Sequence, residues 1–212
     1  MAKLVPESKY NYANRIGRLY LQSLTDVLGR DGMNALLNHA QLTRFIDQLP
    51  SDDLERGFDF ANFSNIDQAL QEVYGPRGGR RLALESGREV FRRGLGEFGP
   101  LVGATDLVFR VLPLSTKIRI GLPLLSRIFT QFTDQITRVE SFSDFHLYYI
   151  DRCPVCWGRE GHEPLCHLAG GVLEASLSWV SGGKHFPVEE IECQALGAES
   201  CVFKITPQPL DG

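Results

Sequence analysis

All five cysteines of this 212-residue chain fall between Cys153 and Cys201, a stretch of about a quarter of the sequence. That clustering constrains the fold more than any other feature. It asks one local piece of structure to bring thiols together from segments almost fifty residues apart. The pieces are Cys153-Pro-Val-Cys156, then Cys166 just before an apolar helical run, then Cys193 and Cys201 flanking a short loop that contains Gly197. Zinc asks for four thiolate, imidazole or carboxylate ligands in a tetrahedron. Two cysteines on neighbouring strands at the base of a hairpin meet that demand, and Cys193 and Cys201 have the spacing for it. Glu190 precedes Cys193 by three residues. On a regular strand the two would point to opposite faces, so Glu190 joins only if the strand bulges or ends there. Cys166 stands where a helix dipole favours its thiolate. Cys153-x-x-Cys156 has the spacing most associated with metal when seen alone. Two ligand sets compete: Cys166, Glu190, Cys193 and Cys201, or Cys153, Cys156, Cys193 and Cys201. The plainer alternative is a group of buried free thiols. A redox dithiol at Cys153 and Cys156 lacks the βαβ context of such motifs. Cys166 with His167 does not make a catalytic pair, because neighbours at a helix start diverge and no third group orients them.

Charge and hydropathy narrow the class. The formal net charge is −4, which disfavours a nucleic-acid partner. The start, Met1-Ala-Lys-Leu-Val-Pro, has no apolar leader core. The most apolar stretch, 100–132, carries Asp106, Arg110, Lys117, Arg119 and Arg127, too many charges for a membrane span. The expectation is a cytoplasmic protein whose cysteines are thiols or metal ligands rather than disulfides.

The chain is helical first and stranded later. Ile16, Leu19, Tyr20, Leu24, Val27 and Leu28 share a helix face, Gly29 is a stop, and a second helix spans about 31–40. Residues 48–63 read as a loop. Ser64 or Asn65 caps a helix running to Tyr74. The turn Gly75-Pro-Arg-Gly-Gly-Arg-Arg breaks it before another helix over about 82–95. That turn lacks the Lys-Ser/Thr ending of a phosphate loop and reads as a plain connection. Pro113 and Pro123 are expected to split 100–132 into short helices. Leu114, Ile118, Leu122, Leu125, Phe129 and Phe132 form a stripe broad enough to be core or to line a cavity for an apolar ligand. Beyond Ile136 the period changes to two. Strands are expected at 137–140 and through Phe145, Leu147 and Tyr149, then a helix of about 14 residues ending at Gly182-Gly183, then strands over 186–193 and 201–206. Segregated helices and strands mean α+β: an N-terminal helical layer on a C-terminal four-stranded antiparallel sheet. The expected organisation is a single domain over 1–212, with N-terminal helices at 1–40, a helical pocket layer at 41–134 and a sheet with the metal motif at 135–207. The expected ligand pocket is Leu122, Leu125, Phe129, Phe132, Phe145, Tyr149 and Trp179.

The segment Pro-Leu-Cys166-His-Leu-Ala-Gly-Gly, followed by Glu190-x-x-Cys193, Gly197 and Cys201-x-Phe203-x-Ile205, resembles the 4-vinyl reductase domain family. The resemblance is specific over about 150–206 and extends loosely to Val27-Leu-Gly-Arg-Asp-Gly and Gly75-Pro-Arg-Gly. It implies an α/β fold shared with haem-based nitric-oxide sensors and a vesicle-tethering component, often as a homodimer, with 1–40 as a dimerisation element. It implies a zinc held by Cys166, Glu190, Cys193 and Cys201, with Cys153 and Cys156 as alternates. It also implies a hydrophobic small-molecule ligand, aromatic or tetrapyrrole-like, in a sensor or carrier. The alternative it offers is an oxidoreductase of bacteriochlorophyll biosynthesis that reduces a vinyl group, although the chain has no nicotinamide or flavin fingerprint. The family's usual Gly-Asp before the last cysteine is Gly197-Ala198-Glu199 here.

Overall fold

A computed structural model describes residues 4–98 and 111–210. The chain opens with β1 (Asn11–Ala13) and α1 (Asn14–His39), then α2 (Arg44–Asp47), β2 (Arg56–Asp59) and α3 (Phe60–Phe98). There follow α4 (Leu114–Phe132), β3 (Thr137–Ser141), β4 (His146–Ile150), α5 (His167–Ser181), β5 (Val188–Glu192) and β6 (Cys201–Ile205). The β3-β4-β6-β5 sheet is antiparallel throughout, as the α+β reading expects. A two-stranded ribbon, β1 with β2, lies outside it.

The helical half is built from two bent helices. Gly29 and Gly75 take φ near +70°, which an L side chain rarely adopts, so each helix turns there and resumes at once. At Gly75 the restart is immediate because Pro76 fits the first turn of a helix. The second half of α3 therefore begins several residues before the expected Leu82. Its first half also begins earlier than expected, at Phe60. The expected loop over 48–63 contains β2, and the cap is Asp59, whose carboxylate accepts the Ala61 N–H at 2.6 Å and the Ser8 hydroxyl at 2.9 Å. Pro123 does not split its helix: α4 runs unbroken from Leu114 to Phe132. Pro123 and Arg119 are on the exposed face of α4, where a carbonyl without a helical partner is open to solvent. Pro113 does mark a boundary, immediately before α4. The first part of the apolar stretch, 100–110, lies outside the described residues.

Helix α5 holds the layers together. It crosses α3 where glycine faces glycine. A Cβ on Gly171 would sit 2.0 Å from the Leu84 carbonyl oxygen, and one on Gly87 would sit 2.1 Å from that of Leu168. Only two hydrogen side chains allow the backbones so close. On the sheet side, Gly170 faces the ring of Phe203 in β6. Gly182, with φ +79°, ends α5 in a left-handed cap. The core is aromatic at the helix end of the molecule: Tyr20 stacks on Phe63 at 4.7 Å, and Tyr12 and Phe58 pack on the same ring.

Gly171→Ala is expected to destabilise the protein by about 3 kcal/mol, because backbone must move to admit the methyl group. Gly96→Ala, at a helical position with open space around it, is expected to be neutral or stabilising by up to about 1 kcal/mol. Urea unfolding of the two variants checks the contrast.

Candidate functional site

Four chain segments deliver the thiols. Cys153 and Cys156 lie on the turn after β4, where Trp157 N–H meets the Pro154 carbonyl at 3.4 Å and Arg159 N–H meets that of Cys156 at 3.1 Å. Cys166 is the residue before α5. Cys193 follows β5 in extended conformation, and Cys201 opens β6. The sequence Gln194–Leu196 forms one 3-10 turn closed by Gly197 at φ +90°, which sets the two hairpin cysteines side by side. Gln194 ties the loops together. Its Oε1 accepts the Cys153 N–H at 3.1 Å, and its Nε2 donates to the Asp151 and Glu199 carbonyls, each at 2.9 Å.

All five thiols are buried and none is bonded to another. The sulfurs are nevertheless in contact. Cys153 lies 3.3 Å from Cys166, Cys156 lies 3.4 Å from Cys201, and Cys166 lies 3.5 Å from Cys201. Cys193 is 3.9 Å from both Cys166 and Cys201. A tetrahedral zinc with Zn–S bonds of about 2.3 Å places its sulfurs about 3.8 Å apart, so these separations have the scale of a metal tetrahedron's edges. Glu190 reaches the group. The β5–β6 register shifts between Glu190 and Glu192, the irregularity that a strand needs to turn this carboxylate toward Cys193. Glu190 Oε2 accepts the Cys166 N–H at 2.9 Å, while its buried Oε1 has no hydrogen-bond partner. Burial, then the Cys193 charge, pushes Glu190 up to about 9. Such a carboxyl stays protonated at neutral pH unless a cation is bound beside it.

Two groups of four therefore have all ligand atoms within 4.8 Å of one another: Cys166, Glu190, Cys193 and Cys201; and Cys153, Cys156, Cys166 and Cys201. The second uses Cys166 where the sequence spacing suggested Cys193. His167 belongs to neither group; burial and then Arg80 lower it to about 4, so it is neutral.

An apolar cavity of about 100 Å³ lies between the second half of α3, α4 and α5, beside a smaller one of about 50 Å³. Leu125, Phe129 and Val172 line both. Of the residues expected at a pocket, Leu122, Leu125, Phe129 and Trp179 stand on these walls. Phe132 packs on Phe98, and Phe145 stacks on Phe142. Tyr149 turns away, its hydroxyl donating to Glu140 at 3.1 Å and its ring under the Arg138 guanidinium. The neighbouring Tyr148 is the one that faces inward, and its buried hydroxyl has no hydrogen-bond partner. Tyr12 and Gln135, hydrogen-bonded to each other, share the wall of the smaller cavity with it. The sequence hid this choice, since both faces of β4 carry an aromatic. It did carry a signal for the α3 wall: Phe91 and Leu95 are one helical turn apart. Cys153 also lines the smaller cavity, so the thiol group and the cavity share a wall.

Next to the thiols, Asp67 of α3 meets Arg159 at 2.5 Å with both side chains almost wholly buried. Burial raises Asp67 to about 6 even though Arg159 pulls it down.

With this geometry in place, comparison with known proteins bears on the C-terminal part first. Residues 148–207 match the family model of the 4-vinyl reductase domain, in agreement with the resemblance read from the cysteine motif. No curated protein sequence matches the chain. Solved structures show how far the fold extends. An H-NOX protein from S. oneidensis in the Fe(II)NO ligation state is 12% identical at TM-score 0.57, covering 92% of this chain and 99% of that one. The unliganded Fe(II) H-NOX protein from K. algicida is 11% identical at TM-score 0.59, covering 94% and 97%. A structure described as modulating haem redox potential through porphyrin distortion is 17% identical at TM-score 0.58, covering 92% and 99%. The N-terminal helices and the sheet together thus have the H-NOX fold. Haem iron takes a His, Cys, Met or Tyr ligand. Among the described residues the cavity of about 100 Å³ is lined by none of these, the smaller one is lined by Tyr12, Tyr20, Tyr148 and Cys153, and a third, more open pocket of about 670 Å³ includes His185.

Arg159→Leu is expected to cost about 3 kcal/mol, since it removes the cation from the buried Asp67 carboxyl, which must then take up a proton. Adding Asp67→Asn should recover a large part of that loss. Urea unfolding of the single and double variants measures it.

Proposed function

We propose that the chain is a metal-stabilised binding domain for a small aromatic molecule, acting as a ligand sensor or carrier. The observation that carries this reading is the apolar cavity between α3, α4 and α5, which continues toward the buried, unpartnered Tyr148 hydroxyl. An apolar cavity of about 150 Å³ holds a benzene ring, so a single ring with one polar substituent matches the space and the chemistry better than a tetrapyrrole does. In this reading zinc is the metal. With four protein ligands it has no open position and its work is structural. Cys166, Glu190, Cys193 and Cys201 are its ligands in the family's pattern, and the contact of all four supports that. The metal fastens the start of α5 to the β5–β6 hairpin, and α5 forms one wall of the cavity. Buried free thiols at this density suit a reducing compartment, the cytoplasm. No helix among the described residues is long and apolar enough to cross a membrane. A homodimer is the proposed assembly, supported by the family resemblance.

Phenol and indole are expected to raise the melting temperature and to bind saturably in calorimetry. A ligand at one hundred times its Kd adds about 2.7 kcal/mol. Leu125→Trp, which fills both cavities, should weaken binding at least tenfold while the protein stays folded. Protoporphyrin binding with no response to either single-ring compound would replace this reading with a tetrapyrrole carrier.

Stripping the metal with a chelator is expected to lower the melting temperature by about 10 °C or more, because the metal's binding energy is folding energy. Differential scanning calorimetry before and after metal restoration checks this. An unchanged transition would show that the thiols need no metal.

A further inference from the structure

The two four-ligand groups are not simply alternatives. They share two members, Cys166 and Cys201, and differ in the other four: Cys153 and Cys156 on one side, Glu190 and Cys193 on the other. Two tetrahedra that share one edge have this membership. We propose that the site is binuclear: two divalent, thiophilic metal ions of the zinc class, bridged by the thiolates of Cys166 and Cys201. The proposal rests on the metal-centre reading above and extends it from one ion to two.

The distances assign the roles. Cys166 and Cys201 are the central sulfurs, 3.5 Å apart, and each contacts three others. Cys166 contacts Cys153, Cys193 and Cys201; Cys201 contacts Cys156, Cys166 and Cys193. Cys153 and Cys156 lean on opposite ends of the shared edge, at 3.3 and 3.4 Å, which makes them terminal ligands of one ion. Cys193 stands 3.9 Å from both ends, on the side of Glu190, and these two are terminal ligands of the other. The Glu190 Oε1 atom, buried and without a hydrogen-bond partner, is the oxygen left for that ion.

Use of the whole donor set favours two ions over one. Deprotonated by metal, five thiolates and a carboxylate carry six negative charges. One divalent ion engages four of the six groups and leaves two thiols, or a thiol and the carboxyl, packed against the ligands and unused. Arg159, the buried cation nearby, is already committed to Asp67. Two divalent ions engage all six groups and bring the site to −2, the charge of an ordinary four-thiolate zinc site. An iron–sulfur cluster is a poorer occupant. Its irons are bridged by inorganic sulfide, so thiolates on different irons stand well apart, whereas these sulfurs already touch.

The test is metal stoichiometry on the full chain, expressed with added zinc and purified without oxygen. Elemental analysis and native mass spectrometry are expected to give two zinc ions per chain. One ion overturns the binuclear site and leaves the metal-stabilised reading intact; none overturns both. Cys153→Ser/Cys156→Ser is expected to keep one ion and a folded circular dichroism spectrum, and retention of two would mean that the second ion sits elsewhere, overturning the proposal. Replacement by cadmium-113 gives the independent readout. Two resonances of equal intensity with metal–metal coupling through the bridging sulfurs are expected; a single resonance, or two without coupling, would overturn the shared edge.

Discussion

Contact among five buried sulfur atoms is the constraint on which the C-terminal half of this protein depends. The thiols come from the turn after β4, the start of α5, the end of β5 and the start of β6. Neighbouring sulfurs 3.3–3.9 Å apart tie the hairpin, the sheet and the helix to one another. The supporting details serve the same end. Gln194 bridges the two loops, the register shift in β5 brings Glu190 to the thiols, and the Asp67–Arg159 pair joins the thiol-bearing turn to α3. Thiols packed this closely around a buried carboxyl cannot all ionise without cations, and the same density makes them good ligands.

Helix α5 carries this constraint to the rest of the molecule. Its start lies at the thiols, one face is pressed on α3 through Gly171 and Gly87, and another covers the sheet at Phe203. Its middle and end, with Val172, Ser176, Trp179 and Val180, form a wall of the apolar cavity. Cavity and thiol group are thus two ends of one rigid connection, and Cys153 borders both. The H-NOX proteins share the fold at 11–17% identity across more than nine-tenths of the chain. Among the described residues the cavity between α3, α4 and α5 is apolar and is lined by no His, Cys, Met or Tyr.

Much of this was legible in the residues. The order of helices then strands, the break at Gly29 and Gly75, the end of α5 at Gly182 and the β5–β6 hairpin all follow from periodicity and turn chemistry, which act over a few residues. The need for an irregular strand at Glu190 was legible too, from the period of two alone. The errors arose where neighbours decided. Asp59 rather than Ser64 or Asn65 caps α3 because the β1–β2 ribbon presents it there. Pro123 stays in a helix because the carbonyl it strands faces water.

The sequence by itself determined the α+β order and the confinement of every thiol to one quarter of the chain. Only the tertiary structure decided that all five sulfurs meet, that Cys166 and Cys201 stand at their centre, and that Tyr148 rather than Tyr149 faces the cavity. The reason is one of range. Local propensity sets which residues alternate along β4, but the inward face is chosen by what packs across it. Likewise, spacing along the chain says which cysteines neighbour a turn, while the meeting of Cys153 with Cys166, and of Cys156 with Cys201, is set by how α5 lies between α3 and the sheet.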